Sequence, residues 1–222
     1  MRSATRSRTI ATNPDKSVLT VSLLEPPSHR EPAFASFADL EREALACTKC
    51  PLAETRTQVV FGVGDPGADL LFVGEGPGEQ EDLTGEPFVG RAGRLLTSLI
   101  EGIGLTRDDV YIANVVKCRP PGNRDPLPLE IETCRPYLDA QVEFIDPSVV
   151  VTLGNFATKL LLSTKEGITR LRGREFPFRE RAVLIPAFHP SAVLRNGGPA
   201  LAQARADFVT IKRALARATG SP

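Results

Sequence analysis

Four short runs of apolar residues set the architecture of this chain, because each lacks the polar alternation of a half-exposed strand. They lie at residues 70–73, 110–116, 149–153 and 183–187, and segments with helical spacing at 91–103, 129–145 and 199–217 lie between or after them. Unbroken apolar strands are typical of a sheet that is covered on both faces. Their alternation with helices predicts an α/β fold, a three-layer α/β/α domain around a central four-stranded parallel sheet.

The 222 residues suit one domain of ordinary size with an extension. Residues 1–33 are polar, basic and interrupted by prolines, which predicts a flexible extension ahead of a domain at 34–218. No apolar run is long enough for a membrane span, and no secretory signal core is visible, so we expect a cytoplasmic protein. The 27 basic and 27 acidic residues balance, so net charge does not indicate a nucleic-acid partner, although local patches matter more than totals.

The first apolar run leads into a glycine-rich acidic loop at residues 74–90, GEGPGEQEDLTGEPFVG. Glycine permits unusual φ values and proline restricts φ, so this composition predicts a shaped loop. Its carboxylates include Glu75 and Glu81, and its one aromatic residue is Phe88. The abundance of carboxylates argues against phosphate binding, because they would repel an anion. The loop therefore predicts one wall of a pocket at the carboxyl edge of the sheet.

The other predicted strands also end in polar residues. Asn114 lies near the end of the second strand, Asn155 follows the third, and His189 follows the fourth. The carboxyl ends of parallel strands meet at one edge, where such folds bind ligands. An amide offers a donor and an acceptor together, which suits the edge of a heterocycle. A purely structural role for Asn114 or His189 is the alternative.

The four cysteines form one close pair and two single residues. Cys47 and Cys50 are a C-x-x-C pair, and fifteen residues separate Cys118 from Cys134. Four thiolates can hold zinc or an iron–sulfur cluster. A redox-active C-x-x-C pair and four unrelated thiols remain alternatives, although two short pairs would be more usual for a zinc ribbon.

Together these motifs resemble the family-4 uracil-DNA glycosylases, the iron–sulfur branch of that superfamily. The similarity covers about residues 37–216 and keeps the family's motif order. The matching motifs are CTKCPL (47–52), GEGPGEQED (74–82), GEPFVGRAG (85–93), NVVKCRPPGNRDP (114–126), ETCRP (132–136) and HPSAVLR (189–195). The resemblance implies a DNA-repair hydrolase that removes uracil from DNA in a bacterial or archaeal cytosol. We expect a monomer, with a sliding clamp as a candidate partner.

The resemblance further implies roles for individual residues. A structural [4Fe-4S] cluster is expected on Cys47, Cys50, Cys118 and Cys134. Phe88 is expected to stack on uracil, Asn114 to bind its N3 and O4 edge, and His189 to donate to O2. Backbone N–H groups near Gly76 are expected to add donors. Better-known branches carry an aspartate at the position of Gly76, so the carboxylate that orients water is expected to be Glu75, with Glu81 as the alternative.

The last motif is expected to form a DNA-contacting loop, in which Val193, Leu194 or Arg195 enters the space that the extruded base leaves. Arg119 is expected to contact phosphate. Further candidates for phosphate contacts are Lys117, Arg124, Arg135, Arg170, Arg172 and Arg174. Two other classes remain open: a protein that traps uracil-DNA covalently, and a non-catalytic DNA-binding module stabilised by metal. The trapping branch uses a histidine in an inserted basic loop, and this chain has none between His29 and His189.

Overall fold

The computed structural model describes residues 34–220. Its strands are β1 (Val63–Gly64), β2 (Leu70–Gly74), β3 (Tyr111–Asn114), β4 (Val149–Leu153), β5 (Phe176–Phe178) and β6 (Ala182–Ala187). They form one sheet in the order β1–β3–β2–β4–β6–β5. The four central strands are parallel, whereas β1 and β5 pair antiparallel at the two edges.

The prediction of a parallel α/β sheet is thus confirmed, but the predicted strand number of four is wrong. The four predicted strands form the centre of a six-stranded sheet. The two additional strands are short, and β5 contains Pro177. Proline is tolerated on an edge strand because one side of that strand needs no ladder hydrogen bonds. Neither segment has the unbroken apolar run that marks a central strand.

Helices cover both faces of the sheet. They are α1 (Phe37–Leu45), α2 (Leu52–Thr55), α3 (Glu79–Thr84), α4 (Gly90–Glu101), α5 (Pro128–Ile145), α6 (Asn155–Leu161), α7 (Ile168–Leu171), α8 (Pro190–Asn196) and α9 (Gly198–Thr219). Two short 3₁₀ helices lie at Arg107–Asp109 and Pro121–Asn123. No helix within residues 34–220 is long and apolar enough to cross a membrane.

Alternate residues of each central strand enter opposite cores, which explains the unbroken apolar runs. Leu70 and Phe72 of β2 belong to the core that α4 and α9 cover. Leu71 and Val73 belong to the core that α1 and α5 cover. A strand with helices on both faces has no solvent-facing position, so its sequence shows no polar alternation. The predicted three-layer arrangement is therefore confirmed.

Helix α3 lies inside the segment that the sequence indicated as a single loop. Its first turn carries three acidic residues, which the positive end of a helix favours. The Glu81 side chain accepts a hydrogen bond from the N–H of Gly78 at 3.1 Å, and Gly85, with φ of 76°, ends the helix. Residues 1–33, predicted as an extension, lie outside the described residues.

Candidate active site

A cleft of about 800 Å³ opens at the carboxyl edge of the parallel strands. Residues from the ends of β2, β3, β4 and β6 line it, as the strand-end argument predicts. The predicted residues that line it are Glu75, Gly76, Glu81, Phe88, Asn114, Arg124, Asn155, His189 and Arg195. Arg119 and Leu194 are not among its lining residues.

Phe88 and Asn114 approach each other across Gly74, the last residue of β2. Gly74 pairs with Asn114 in the parallel register of β2 and β3. A Cβ added to Gly74 would lie 2.3 Å from Asn114 Oδ1 and 2.6 Å from Phe88 Cζ. The Asn114 side chain is buried, and its Oδ1 has no hydrogen-bond partner among residues 34–220. A buried acceptor without a partner costs free energy, so a ligand N–H at this point would be favoured.

His189 lies at the amino end of α8, immediately after β6. Its Nδ1 accepts a hydrogen bond from the N–H of Ser191 at 3.2 Å, so the ring caps the helix. Burial, together with the charge of Arg195, lowers the pKa of His189 to about 4. The neutral ring therefore carries its proton on Nε2 and can donate from that atom. The His189 and Phe88 ring centroids are 5.6 Å apart, with an interplanar angle of 35°.

The two carboxylates that the sequence indicates have different surroundings. Both Glu81 oxygens are occupied: Oε2 accepts from the N–H of Gly78 and Oε1 from the N–H of Val89, each at 3.1 Å. Glu81 thus connects the two ends of the segment around α3. Glu75 lines the cleft, and burial, with the nearby charge of Asp125, raises its pKa. A partly buried carboxyl group with a raised pKa is typical of a functional acid or base.

The backbone around Phe88 is held by contacts that the sequence did not indicate. Phe88 has φ of 54°, in the left-handed region that a bulky side chain rarely adopts. Arg107 donates to the carbonyl oxygens of Pro87 and Phe88. Earlier in the same segment, the side chain of the buried Asp82 in α3 accepts a hydrogen bond from the N–H of Thr57 at 2.9 Å. No motif marks Arg107, because its partners, two carbonyl oxygens and the Glu86 carboxylate, are distant in sequence.

The proposed DNA-contacting residues differ in exposure. Arg195 borders the cleft, and the Leu194 side chain is 40% exposed on α8. Arg119 donates from Nε to Asn123 Oδ1 at 2.8 Å on the surface. Lys117, by contrast, is 2% exposed, so its prediction as a phosphate contact is wrong. Arg172 is ion-paired with the buried Asp207.

Lys117 instead connects two regions of the core. Its Nζ donates to the carbonyl oxygen of Asn114 at 2.8 Å and to Gln141 Oε1 at 2.5 Å, while its backbone N–H donates to Cys134 Sγ at 3.3 Å. Burial lowers the pKa of this lysine to about 8. Since hydrogen bonds hold both its backbone and its ammonium group, Lys117 has a structural position beside the cleft.

The four cysteines meet around a small cavity lined largely by apolar atoms. All four are free thiols, and Arg56 donates to Cys118 Sγ at 3.3 Å. Burial raises the pKa of Cys118 to about 11 and also raises that of Cys134, so each thiolate needs a compensating cation. Within residues 34–220, no three His, Cys, Asp or Glu side chains are grouped as a single metal ion would require.

Comparison with known proteins agrees with this geometry. The model of the uracil DNA glycosylase superfamily matches residues 61–215. A type-4 uracil-DNA glycosylase of Thermotoga maritima is 52% identical, over 68% of this chain and 79% of its own length. Those of Archaeoglobus fulgidus and Saccharolobus solfataricus are 48% and 44% identical, over 72% and 78% of this chain and 83% of each relative.

Proposed function

Because the chain belongs to the uracil DNA glycosylase superfamily, we propose that it extrudes uracil from DNA and hydrolyses the N-glycosidic bond. The reaction releases free uracil and leaves an abasic site for base excision repair. The observation that carries this proposal is the buried Asn114 Oδ1, which has no partner in the described part of the chain, at a cleft that also presents an aromatic ring and a neutral histidine. Stacking and hydrogen bonding in such a pocket can offset the free-energy cost of unstacking the base from DNA.

Phe88 and Asn114 select the base in this mechanism. The Phe88 ring stacks on the uracil face, and the Asn114 amide binds the N3 and O4 edge. Oδ1 accepts the N3 proton, which satisfies the buried oxygen, and the amide nitrogen donates to O4. Because Gly74 has no side chain, the ring and the amide can stand this close together.

His189 stabilises the negative charge that develops on the leaving uracil. Its Nδ1 is occupied by the N–H of Ser191, so Nε2–H is the donor available to uracil O2. A neutral donor fixed in advance acts on this oxygen as an oxyanion hole does. Backbone N–H groups near Gly76 add donors at the same edge of the cleft. The lowered pKa of His189 keeps the ring in its donating neutral form at physiological pH.

We assign the orientation of the attacking water to Glu75 rather than to Glu81. Both Glu81 oxygens already accept backbone hydrogen bonds, so binding a water would compete with contacts that hold the loop. Glu75 lines the cleft directly after β2. As a carboxylate it can both accept a proton from water and stabilise the positive charge that develops on the sugar.

The surface beside the cleft is proposed to hold the DNA strand. Leu194 is exposed on α8, which supports the proposal that its side chain fills the space that the extruded base leaves. Arg195 and Arg119 are proposed to contact phosphates, so binding should weaken as salt concentration rises. A monomeric enzyme, a sliding-clamp partner and a place of action in a bacterial or archaeal cytosol stay predictions.

The four cysteines are proposed to bind a [4Fe-4S] cluster. The donor set fits, because four free thiols from α5 and two other segments surround one cavity and each iron of such a cluster takes one thiolate. N–H donors from Lys117 and Arg56 to two of the sulfurs suit a bound anionic cluster. A cluster held by these four cysteines would cross-link the segments that carry them and would take no part in bond breaking.

Incubation with single-stranded uracil-containing DNA, followed by alkali, tests the activity. Strand cleavage supports the glycosylase, a stable protein–DNA adduct supports covalent trapping, and retention without either supports a binding module. His189→Ala and Asn114→Ala should each lower uracil release by about 10²-fold or more while the fold stays intact. Wild-type release by both variants would contradict the pocket assignment.

Iron analysis and visible absorption after anaerobic purification test the cluster. We expect about four irons per chain and a visible absorption band that is lost when the iron is removed. A Cys134→Ser variant should lose iron and unfold at a lower temperature. Stoichiometric zinc without iron would refute the assignment.

A further inference from the structure

The backbone of Phe88 requires support from its surroundings. Its φ of 54° places a bulky, non-glycine residue in the left-handed region. Such a conformation persists only where the neighbouring structure fixes it. Helix α4 supports one side: a Cβ on Gly93 would lie 1.7 Å from the Phe88 carbonyl oxygen, so the helix approaches this peptide as closely as a glycine allows.

Arg107 holds the same peptides from another element. Its Nη1 donates to the Phe88 carbonyl oxygen at 3.3 Å, and its Nη2 donates to the Pro87 carbonyl oxygen at 2.8 Å. Nη2 also pairs with Glu86 Oε1 at 3.2 Å. The Arg107 side chain is only 19% exposed, so water competes weakly for these hydrogen bonds. One guanidinium thus contacts three consecutive residues just before α4.

The position of Arg107 gives this contact a rigid base. It begins the 3₁₀ helix Arg107–Asp109, which precedes β3. Asp109 Oδ2 accepts from the N–H and the hydroxyl group of Thr106, each at 2.7 Å, and so fixes the start of that helix. Strand β3 ends in Asn114. Through Arg107, the segment that leads into β3 and Asn114 is therefore hydrogen-bonded to the segment that carries Phe88.

We propose that Arg107 is a positioning residue for base recognition. It fixes the left-handed backbone of Phe88, and through it the angle of the ring beside His189. Arg107 does not line the cleft and touches no reacting atom. The proposal rests on the proposed function in one respect, namely that Phe88 stacks on the extruded base.

The chemistry of this contact favours arginine over lysine. The planar guanidinium offers several N–H donors in a fixed fork, and here it satisfies two carbonyl oxygens and a carboxylate at once. A lysine has a single ammonium group on a shorter side chain, so it cannot reproduce this fixed arrangement of donors. Arg107→Lys should therefore restore only part of what Arg107→Met loses, although Arg107→Lys keeps the charge.

A double-mutant cycle with Phe88→Ala tests the proposal. Arg107→Met should lower kcat/KM for uracil release by about tenfold or more and weaken inhibition by free uracil to a similar degree. In the Phe88→Ala background, which has no ring to position, Arg107→Met should change kcat/KM by less than about twofold. Arg217→Met, which breaks an exposed ion pair with Glu175, is the matched control and should leave kcat/KM unchanged.

The outcomes separate this proposal from the proposed function. Near-wild-type kcat/KM in Arg107→Met, or an equal loss in both backgrounds, would overturn the positioning role and leave the glycosylase assignment intact. Full activity of Phe88→Ala would overturn it as well, because the ring would then not recognise the base. Absence of uracil release by the wild-type protein would refute the proposed function, and the positioning role with it.

Discussion

Substitution of Gly74 by alanine gives the most direct test of the pocket geometry. The new methyl group would lie 2.3 Å from Asn114 Oδ1 and 2.6 Å from Phe88 Cζ, whereas ordinary contacts begin at 3.4 Å. Both side chains would have to retreat by about 1 Å in a close-packed region. The backbone of Gly74 is that of an ordinary central strand, so the effect of Gly74→Ala comes from this clash rather than from φ.

The size of the effect follows from that displacement. A shift of about 1 Å in the groups that position a substrate can cost about 10²-fold in rate, which corresponds to about 2.7 kcal/mol of transition-state stabilisation. The free energy of unfolding should fall by about 1–3 kcal/mol, the usual cost of overpacking. Catalysis should therefore suffer while the protein stays folded at room temperature.

Single-turnover release of uracil from an oligonucleotide measures the rate, and urea denaturation measures the stability of the same preparation. Gly167→Ala is a suitable control, because a Cβ there meets no atom of the described residues within 4 Å and φ is −82°. A Gly74→Ala rate within about threefold of wild type would refute the reasoning, since the ring and the amide would then tolerate displacement.

Three further predictions concern charged and titratable groups. Burial raises the pKa of Glu75, so the wild-type rate should fall at acidic pH as this carboxylate is protonated. Glu75→Gln should lower the rate by about 10²-fold and remove this fall in rate at acidic pH. A variant whose pH profile matches that of the wild type would contradict the water-orienting role. The pKa of His189 is lowered to about 4, so its contribution to stability is complete above about pH 6.5 and is lost as pH falls toward 4. In a His29→Gln variant His189 is the single histidine, and its NMR titration should have a midpoint near 4. A midpoint near 6.5 would contradict the lowered pKa. Arg172→Ala leaves the Asp207 side chain, which is 3% exposed, without its ion-pair partner. The free energy of unfolding, measured by denaturant titration, should fall by about 3–5 kcal/mol. A loss below about 1 kcal/mol would contradict this, because it is the value expected for a surface ion pair.

The central fold could be predicted because burial on both faces leaves a clear mark on the sequence. Residues 149–153 form β4 as expected, and the helix predicted at 129–145 begins one residue earlier, at Pro128. Because these strands are parallel, their carboxyl ends lie at one edge of the sheet, and Asn114 and His189 line one cleft there as predicted. The family assignment is confirmed by the superfamily model and by the type-4 relatives.

Features held by contacts distant in sequence could not be predicted in this way. The Arg107 fork binds backbone carbonyl oxygens nearly twenty residues away, and no residue pattern marks carbonyl oxygens. Lys117 lies in a motif rich in charge, which suggested a surface contact, yet its ammonium group is buried and binds Gln141 Oε1 and a backbone carbonyl oxygen. Helix α3 was missed because its capping depends on Glu81 folding back on Gly78. The roles assigned to the site residues stay predictions until the variants are measured.

The two short edge strands also affect the tendency of the protein to aggregate at high concentration. Strand β6 is six residues long and almost wholly apolar, and β5 covers its outer side through a three-residue antiparallel pairing. Long exposed apolar edges serve as templates for strand addition between molecules, whereas short edges and edge prolines such as Pro177 resist it. Deletion of residues 176–178 would uncover the outer edge of β6 ahead of Pro186, and residues 182–185 should then pair between molecules, so that the truncated protein aggregates more readily than the full chain.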